Sequence, residues 1–205
     1  GGLLSAGINV IDYRDISSAV LRCSLSSHTE YTAGVHFRQK LDDPTSTVIT
    51  FYNDEALRIN NDVSKKIEKA FFKETFRRVD YSNIGEIYES DHEKEYNVYK
   101  EGMKALLKAH TYKCTDCRVA VDMMHGMASE VFPEILNDLG VDNIMFNTHP
   151  DVHRLANINS LENQTKQDMS AVIQALNLDA GFILYPYGQR LDLVCDKGTV
   201  LGKQS

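Results

Sequence analysis

A pair of cysteines is the first feature of this sequence with the spacing for metal or redox chemistry. Cys114 and Cys117 form a C-x-x-C pair, and His110 lies shortly before it. Such a pair supplies half of a four-ligand zinc site, but no second pair follows. A redox C-x-x-C opens a helix after a strand, whereas this pair precedes a predicted strand. We therefore interpret these residues as ordinary cysteines.

A cluster of imidazole and carboxylate groups lies further along the chain. His149 and His153 flank Asp151, and Pro150 follows the first histidine directly. Proline prevents the helical i, i+4 arrangement that would turn both rings toward one metal. We favour a surface loop here, with a metal site as the alternative.

A basic run is the third candidate for chemistry. Six lysines and arginines lie between Lys65 and Arg78. They could bind phosphate or an acidic helix such as the stretch at 86–101, but a solvated helix face explains them equally simply, and we favour it. The sequence contains no G-x-G-x-x-G, Walker lysine or G-x-S-x-G motif, so isolated motifs specify no activity.

Length and composition are those of a globular chain. The 205 residues are 42% hydrophobic and 25% charged, with a net charge of −7. No apolar run approaches the roughly 20 residues of a membrane span, and the acidic balance disfavours nucleic acid as a partner. Four cysteines and no recognisable signal peptide favour a reducing, cytoplasmic location.

The sequence of the first half predicts short strands that alternate with helices, and these elements would position the candidate residues described above. Ser17 or Ser18 caps one helix, and Asn61 or Asp62 caps another. A longer, acid-rich helix is expected at about 90–110. The predicted strands are residues 9–12, 33–38 and 48–52, with a turn at 39–44.

The second half alternates strands and helices more regularly. Ser129 is predicted to cap a helix that has Pro133 in its first turn and ends at Gly140. Thr165 and Asp168 form a capping-box-like pair ahead of another helix. This alternation predicts right-handed crossovers and a mostly parallel sheet with helices on both faces. The predicted strands are residues 118–122, 143–146, 181–184 and 191–195.

The expected fold class is α/β, with two three-layer α/β/α domains built on mixed, mostly parallel sheets. Composition shifts after Gly85, so we expect a first domain at residues 1–88 and a second at 89–205. The chain opens on what resembles the tail of a helix and closes on what resembles a strand entering more protein. We therefore expect a fragment whose first domain is incomplete.

Four stretches, in this order, resemble the phosphohexomutase family of phosphomannomutases and phosphoglucomutases. Residues 3–12 resemble the end of that family's first helix and its second strand. Residues 119–129 resemble the strand ending in aspartate, and the small-residue loop, that open its second domain. The helix at 130–140 and the strand, loop and hairpin at 179–198 continue the match. The resemblance implies an incomplete phosphoglucomutase-like domain I followed by domain II.

The resemblance implies a chemistry, and this sequence departs from it. In the family a phosphoserine exchanges phosphate with a hexose phosphate, and a D-G-D-x-D-R loop holds Mg²⁺. Here Tyr185, Tyr187 and Gln189 stand in place of the three aspartates, and only Arg190 is kept. Phenols and an amide do not replace carboxylates around Mg²⁺, so we expect no metal and no cofactor. The serine loop falls at about residues 38–44, which contain no serine.

These departures predict a mutase-like fold without mutase chemistry. The pattern resembles a subgroup in which such a degenerate region is joined to a sugar-1-phosphate nucleotidyltransferase of the mannose-1-phosphate guanylyltransferase type. The expected role is structural, regulatory or weakly sugar-phosphate-binding, with Arg190, His125, Arg38 and Lys40 as a candidate anion site. The alternative is that these four side chains only solvate former loop positions. Sugar phosphate and the other domains of the parent chain are the expected partners.

Two rival hypotheses stay open at this point. The chain is part of an active phosphohexomutase if missing domains complete it, and this requires a phosphorylatable residue near Thr45 and Ser46 and a substitute metal site. Alternatively, it is a homo-oligomerisation module that uses its basic face at 65–78 and its acidic face at 86–101.

Overall fold

Helices and strands alternate along the chain in a computed structural model that describes residues 1–40, 43–109, 117–155 and 158–201. The helices are α1 (Gly2–Ser5), α2 (Ser18–Ser27), α3 (Asn61–Phe72), α4 (His92–Ala109), α5 (Phe132–Asp138), α6 (Val152–Leu155) and α7 (Ile158–Leu176). The strands are β1 (Val10–Asp12), β2 (Ala33–Lys40), β3 (Asp43–Asn53), β4 (Ile87–Glu89), β5 (Arg118–Asp122), β6 (Asp142–Phe146), β7 (Ala180–Leu184), β8 (Leu191–Cys195) and β9 (Val200–Leu201). None of the described helices has both the length and the apolar composition to cross a lipid bilayer.

The second half builds a mixed five-stranded sheet in the order β6-β5-β7-β8-β9. Strand β5 pairs in parallel with β6 and β7, while β8 and β9 add antiparallel pairs. Successive residues of β5 face opposite layers: Ala120 packs with Ile173 of α7, whereas Val121 belongs to the cluster that includes Phe132 of α5. A helix therefore covers each face, and the predicted α/β class is confirmed.

The first half forms two separate strand pairs. Strand β1 pairs in parallel with β4, and β2 and β3 form an antiparallel hairpin. Helix α2 begins where Ser17, one of the two predicted caps, accepts the backbone N–H of Val20. Its buried residues, such as Leu25, share a core cluster with Tyr52 of β3 and Ile135 of α5. The two halves therefore share a hydrophobic core.

Helix α4 joins the halves through charged and polar contacts as well. Lys100 pairs with Glu134 of α5 at 2.6 Å. On its other side, the buried carboxylate of Glu95 accepts the Ser24 hydroxyl of α2 at 2.5 Å, and that hydroxyl also bonds Tyr13 at 2.6 Å. These contacts fix α4 between α2 and α5, which places the β2–β3 hairpin close to the second sheet.

Two predicted helix starts are wrong. Ser129 lies in a 3-10 turn (Met127–Glu130) and its hydroxyl donates to the carbonyl of Gly126, so α5 starts later and has no side-chain cap. Thr165 is buried inside α7, which starts at Ile158, so the Thr165–Asp168 pair caps nothing. In both cases the hydroxyl has a packing or local bonding role that the capping pattern does not distinguish.

Smaller differences concern element ends. Helix α3 is capped by Asn60, so the predicted caps Asn61 and Asp62 are wrong by one and two residues. The hairpin strands extend to Lys40 and from Asp43, into the predicted turn. His110, Cys114 and residues 41–42 lie outside the described residues, so the cysteine pair and the tip of the turn stay predictions.

Candidate functional site

The carboxyl ends of β5, β6 and β7 meet at one edge of the five-stranded sheet. In open sheets of this kind ligands bind where the strand order reverses, which here is the edge between β5 and β7. Asp122 ends β5 and is 4% exposed. It accepts the backbone N–H of Met124 at 2.7 Å and the amide of Asn147 at 2.8 Å. Burial raises the pKa of Asp122 above its ordinary value, although both hydrogen bonds oppose the shift.

The loop after β5 holds a strained backbone. Met124, His125 and, after β6, Asn147 all have positive φ, at 45°, 56° and 52°. This conformation is unfavourable for non-glycine residues and clusters at functional sites. The Nδ1 of His125 donates to the carbonyl of His149 at 3.0 Å, because a carbonyl only accepts. Its Nε2 is buried and has no hydrogen-bond partner. In neutral His125 this nitrogen is an acceptor, and in the imidazolium form it is a donor.

The loops after β5 and β7 touch through their backbones. A Cβ on Gly126 would lie 2.3 Å from Cα of Pro186, so only glycine permits this approach. The N–H of Met127 donates to the carbonyl of Pro186 at 3.0 Å. His125 is thereby held beside the loop of residues 185–190, which includes the predicted site residues Tyr185, Tyr187, Gln189 and Arg190.

An ion cluster, formed by Glu162, Lys166, Arg190 and Asp192, occupies the far end of that loop. Arg190 donates twice to Asp192, at 3.1 and 3.0 Å, and lies 4.2 Å over the ring of Tyr185. Lys166 lies 2.5 Å from Glu162 and 3.5 Å from Asp192. The hydroxyl of Tyr185 donates to Asp192 at 3.0 Å. Two cations therefore compensate two carboxylates, of which Asp192 is 2% exposed.

The pKa shifts at the ion cluster follow from burial and pairing. Burial raises the pKa of Tyr185, and the adjacent Glu162 and Asp192 raise it further, so this phenol stays protonated. Burial opposes ionisation of Glu162, but hydrogen bonds from Lys166 and Tyr185 outweigh it and hold the pKa of Glu162 below its ordinary value. Burial likewise works against Arg190, yet Asp192 and Glu162 raise the pKa of its guanidinium.

The donor set of this loop does not fit Mg²⁺. The cation prefers several oxygen ligands, mainly carboxylate and water, in a regular octahedron. Here the loop offers a phenol that is already bound to Asp192, a second phenol and an amide. Both nearby carboxylates are compensated by Lys166 and Arg190. Among the described residues, no group of three histidine, cysteine or acidic side chains is placed to hold a metal ion.

The β2–β3 hairpin brings Arg38 to the same loop. The guanidinium of Arg38 lies 5.6 Å from the ring centre of Tyr187, and its Nε is buried without a hydrogen-bond partner. Burial raises the pKa of Tyr187, while the backbone of Gln39 and the charge of Arg38 oppose the shift. The four predicted anion-site residues thus separate into three settings. Arg38 and His125 adjoin the Tyr187 loop, Arg190 belongs to the ion cluster, and Lys40 is exposed on the hairpin.

The remaining candidates have local roles. Asp151 accepts the backbone N–H of His153 at 2.9 Å and that of Arg154 at 3.2 Å, so its carboxylate caps the start of α6. The hydroxyls of Thr45 and Ser46 both donate to Asp43. Sequence reasoning missed Asn147 and the partners of Arg190, because these contacts join distant strands and helices.

Comparison with known proteins shows which family this chain is similar to. A model of phosphoglucomutase/phosphomannomutase α/β/α domain II matches residues 97–198. A phosphoglucosamine mutase of Dictyoglomus turgidum is 27% identical over 148 residues, which are 72% of this chain and 32% of that protein. A phosphoglucomutase/phosphomannomutase of Thermococcus kodakarensis is 26% identical over 180 residues, 88% of this chain and 39% of that protein. The chain thus spans well under half the length of these relatives.

A solved structure shows the same fold over most of the chain. A phosphoglucomutase/phosphomannomutase family protein from Burkholderia thailandensis superposes with a TM-score of 0.74 at 18% identity, covering 98% of this chain and 43% of that one. The resemblance inferred from the sequence is confirmed at the level of this fold and of the matched domain. Residues 97–198, which hold Asp122, His125 and the loop 185–190, are similar to domain II of the phosphoglucomutase/phosphomannomutase family.

Proposed function

We propose that this chain is a non-catalytic phosphohexomutase-type module that binds a phosphorylated sugar at the edge between β5 and β7 without transferring the phosphate. Its parent is a longer protein of sugar-phosphate or nucleotide-sugar metabolism, in which the module is joined to a sugar-1-phosphate nucleotidyltransferase. The family match of residues 97–198 and the mutase names of the relatives support the sugar-phosphate class.

The observation that carries the proposal is a pair of buried nitrogens without partners beside one loop. They are Nε of Arg38 and Nε2 of His125. A buried polar group without a partner costs about 1–3 kcal/mol. A ligand recovers that free energy when the side chains of the loop move enough to let it reach the nitrogen. The Arg38 guanidinium suits a phosphate oxygen, and His125 suits either a phosphate oxygen or a sugar hydroxyl. The aromatic ring of Tyr187 gives the same site an apolar surface.

The loss of transfer chemistry is supported by the ion cluster. Phosphoryl transfer depends on a nucleophile in line with the phosphate and on neutralisation of its charge, usually by a metal ion. At the loop of residues 185–190 the carboxylates that could ligate a metal are instead paired with Lys166 and Arg190. Binding without transfer is the chemistry that these side chains support best.

Calorimetric titration tests the binding site. Mannose 1-phosphate, glucose 1-phosphate and GDP-mannose are each titrated into the wild-type chain and into the Arg38→Gln variant. Removing a charged hydrogen-bond donor costs about 1.5–3 kcal/mol, so the variant should bind at least about tenfold more weakly. The matched control is Lys108→Gln, an exposed change on α4 that should leave affinity unchanged. The absence of heat with all three ligands at millimolar concentration, or equal affinity in Arg38→Gln, would overturn the proposal.

A second candidate, an active phosphohexomutase completed by further domains, is favoured by one local contact. The hydroxyl of Ser46 donates to the carboxylate of Asp43, which is the arrangement of a nucleophile beside a base. The hydrogen bonds from Ser46 and Thr45 hold the pKa of Asp43 below its ordinary value, which weakens it as a base.

This candidate has a direct chemical test. The chain is incubated with glucose 1,6-bisphosphate and Mg²⁺ and its peptides are analysed by mass spectrometry. A phosphoryl group on Thr45 or Ser46 that disappears when both are changed to alanine would favour the active enzyme. An unmodified peptide removes this candidate.

A further inference from the structure

The β2–β3 hairpin is attached to the loop before α2 by a buried histidine. His36 lies on β2 and is 7% exposed, and its Nε2 donates to the carbonyl of Ile16 at 3.1 Å, because a carbonyl only accepts. The preceding carbonyl, that of Asp15, accepts Nε2 of His92 from α4 at 2.9 Å. Two imidazoles on different elements therefore hold consecutive carbonyls of this loop.

The second ring nitrogen of His36 has no acceptor for a proton. Nδ1 is buried and has no hydrogen-bond partner in the described part of the chain. Thr50 stands opposite on β3, and Arg38 lies two residues further along the same face of β2. Among the described residues, Arg38 is the charged group that acts on this imidazole. Burial lowers the pKa of His36, the bond to Ile16 opposes this, and the charge of Arg38 lowers the pKa further.

The position of Arg38 depends on the same strand. Its guanidinium lies over the ring of Tyr187 at 5.6 Å, and its Nε is buried without a hydrogen-bond partner. The bond from His36 to the loop before α2 attaches β2 only two residues away. A change that loosens β2 at His36 therefore moves Arg38 relative to Tyr187 as well.

His92 makes the same type of bond in different surroundings. It opens α4, its bond to Asp15 is exposed to solvent, and its ring packs edge-on against Tyr96 at 4.7 Å. A charge on an exposed imidazole stays hydrated, whereas a charge on a buried imidazole without an acceptor is strongly disfavoured. Of the two attachments, the one at His36 is therefore sensitive to acid.

We propose that His36 is the positioning residue for Arg38 and that it makes the Arg38 site sensitive to acid. A proton taken up from water on Nδ1 places an imidazolium, without an acceptor, beside a guanidinium, and β2 is then held less firmly on the loop before α2. Arg38 leaves the ring of Tyr187 more often, so a phosphate group binds more weakly. This last step rests on the function proposed above, whereas the earlier ones concern the hairpin alone.

Hydrogen exchange of the 205-residue chain at pH 7 and pH 5 tests the proposal. Because the pKa of His36 is lowered, its contribution to stability falls as pH falls from the ordinary pKa toward the lowered one. Exchange at residues 33–40 and 43–53 is compared with exchange of β5 in the same chain, so the direct effect of pH on the amides cancels. The variants are His36→Gln, which keeps a donor for the carbonyl of Ile16 but takes up no proton, and the matched control His92→Gln.

The expected pattern depends on His36 alone. In the wild type and in His92→Gln, exchange of the hairpin relative to β5 rises at least about threefold from pH 7 to pH 5, and in His36→Gln it does not rise. An unchanged wild-type hairpin, a rise that persists in His36→Gln, or a rise that is lost in His92→Gln would each overturn the proposal.

Calorimetric titration with mannose 1-phosphate tests the step from the hairpin to the ligand. The affinity of the wild type relative to that of His36→Gln should fall at least about threefold from pH 7 to pH 5, since protonation of the ligand affects both chains equally. A constant ratio would overturn the role of His36 in positioning Arg38. An absence of heat at pH 7 in both chains would remove the proposed function, and hydrogen exchange would still decide whether His36 makes the hairpin sensitive to acid.

Discussion

The buried carboxylate of Asp192 offers a direct measure of what the ion cluster contributes. It is 2% exposed and receives two hydrogen bonds from Arg190, one from Tyr185 and an ionic contact from Lys166 at 3.5 Å. Changing Asp192 to Asn preserves the shape of the side chain, but Arg190 and Lys166 then lose one of the two carboxylates of the ion cluster and keep only Glu162. Breaking a buried ion pair costs about 3–5 kcal/mol. Because the side chains of Arg190 and Lys166 are 48% and 28% exposed, water screens part of this loss, and we expect a cost of about 2–3 kcal/mol.

Asp122 provides the contrasting case of a buried carboxylate bound by neutral donors. It is 4% exposed and accepts N–H groups of Met124 and Asn147. Burial raises the pKa of Asp122, which means that the charged carboxylate is less favourable in the folded chain than in the unfolded chain. The contribution of this group to stability therefore falls as pH rises from its ordinary pKa to the raised pKa. In Asp122→Asn the removal of this penalty offsets the loss of one hydrogen bond. The expected cost at pH 7 is below about 1 kcal/mol.

Urea unfolding at pH 7 compares the two variants with the wild type. Asp196→Asn, an exposed aspartate in the turn after β8, serves as the matched control and should change the free energy of unfolding by less than about 0.5 kcal/mol. The expected order of destabilisation is Asp192→Asn, then Asp122→Asn, then the control. If Asp122→Asn costs as much as Asp192→Asn, charge compensation by Arg190 and Lys166 does not decide the stability of this edge.

Two further predictions concern packing and pH. Gly126→Ala should destabilise the chain by about 1–3 kcal/mol, because its Cβ would overlap Pro186. The control is Gly102→Ala in α4, where the added Cβ meets no atom within 4 Å and should stabilise the chain by about 0.5–1 kcal/mol. Thermal unfolding of both variants measures the contribution of the loop contact. The lowered pKa of Glu162 means that its stabilising contribution is present above its ordinary pKa and is lost as pH falls toward the lowered value. Glu162→Gln should therefore flatten the acid side of a stability–pH curve, and an unchanged slope would contradict this.

The sequence predicted the elements whose signals are local. Ser17 caps α2 as expected, and the strand at 118–122 was placed correctly because a short apolar run bounded by polar residues is typical of a buried strand. The helix caps predicted at Thr165 and Ser129 are wrong, because capping patterns also occur where a hydroxyl is buried in a helix or bonds a nearby carbonyl.

The site could be predicted only in outline. The residue types at 185–190 already indicated that carboxylates are missing from the loop. They gave no sign that Arg190 is held by Asp192 and Glu162, because those partners come from β8 and α7. Nor did they show that Arg38 reaches Tyr187, since this contact depends on how α4 sets the hairpin against the second sheet.

Phosphorus NMR of a sugar 1-phosphate titrated with the chain tests the central claim most directly. The spectra are recorded once with EDTA and once with excess Mg²⁺, so that binding and conversion are read from the same resonances. Binding without metal and without transfer predicts an equal change of the 1-phosphate signal in both series and no 6-phosphate signal. A change that requires Mg²⁺, the appearance of 6-phosphate, or an unchanged spectrum would contradict it.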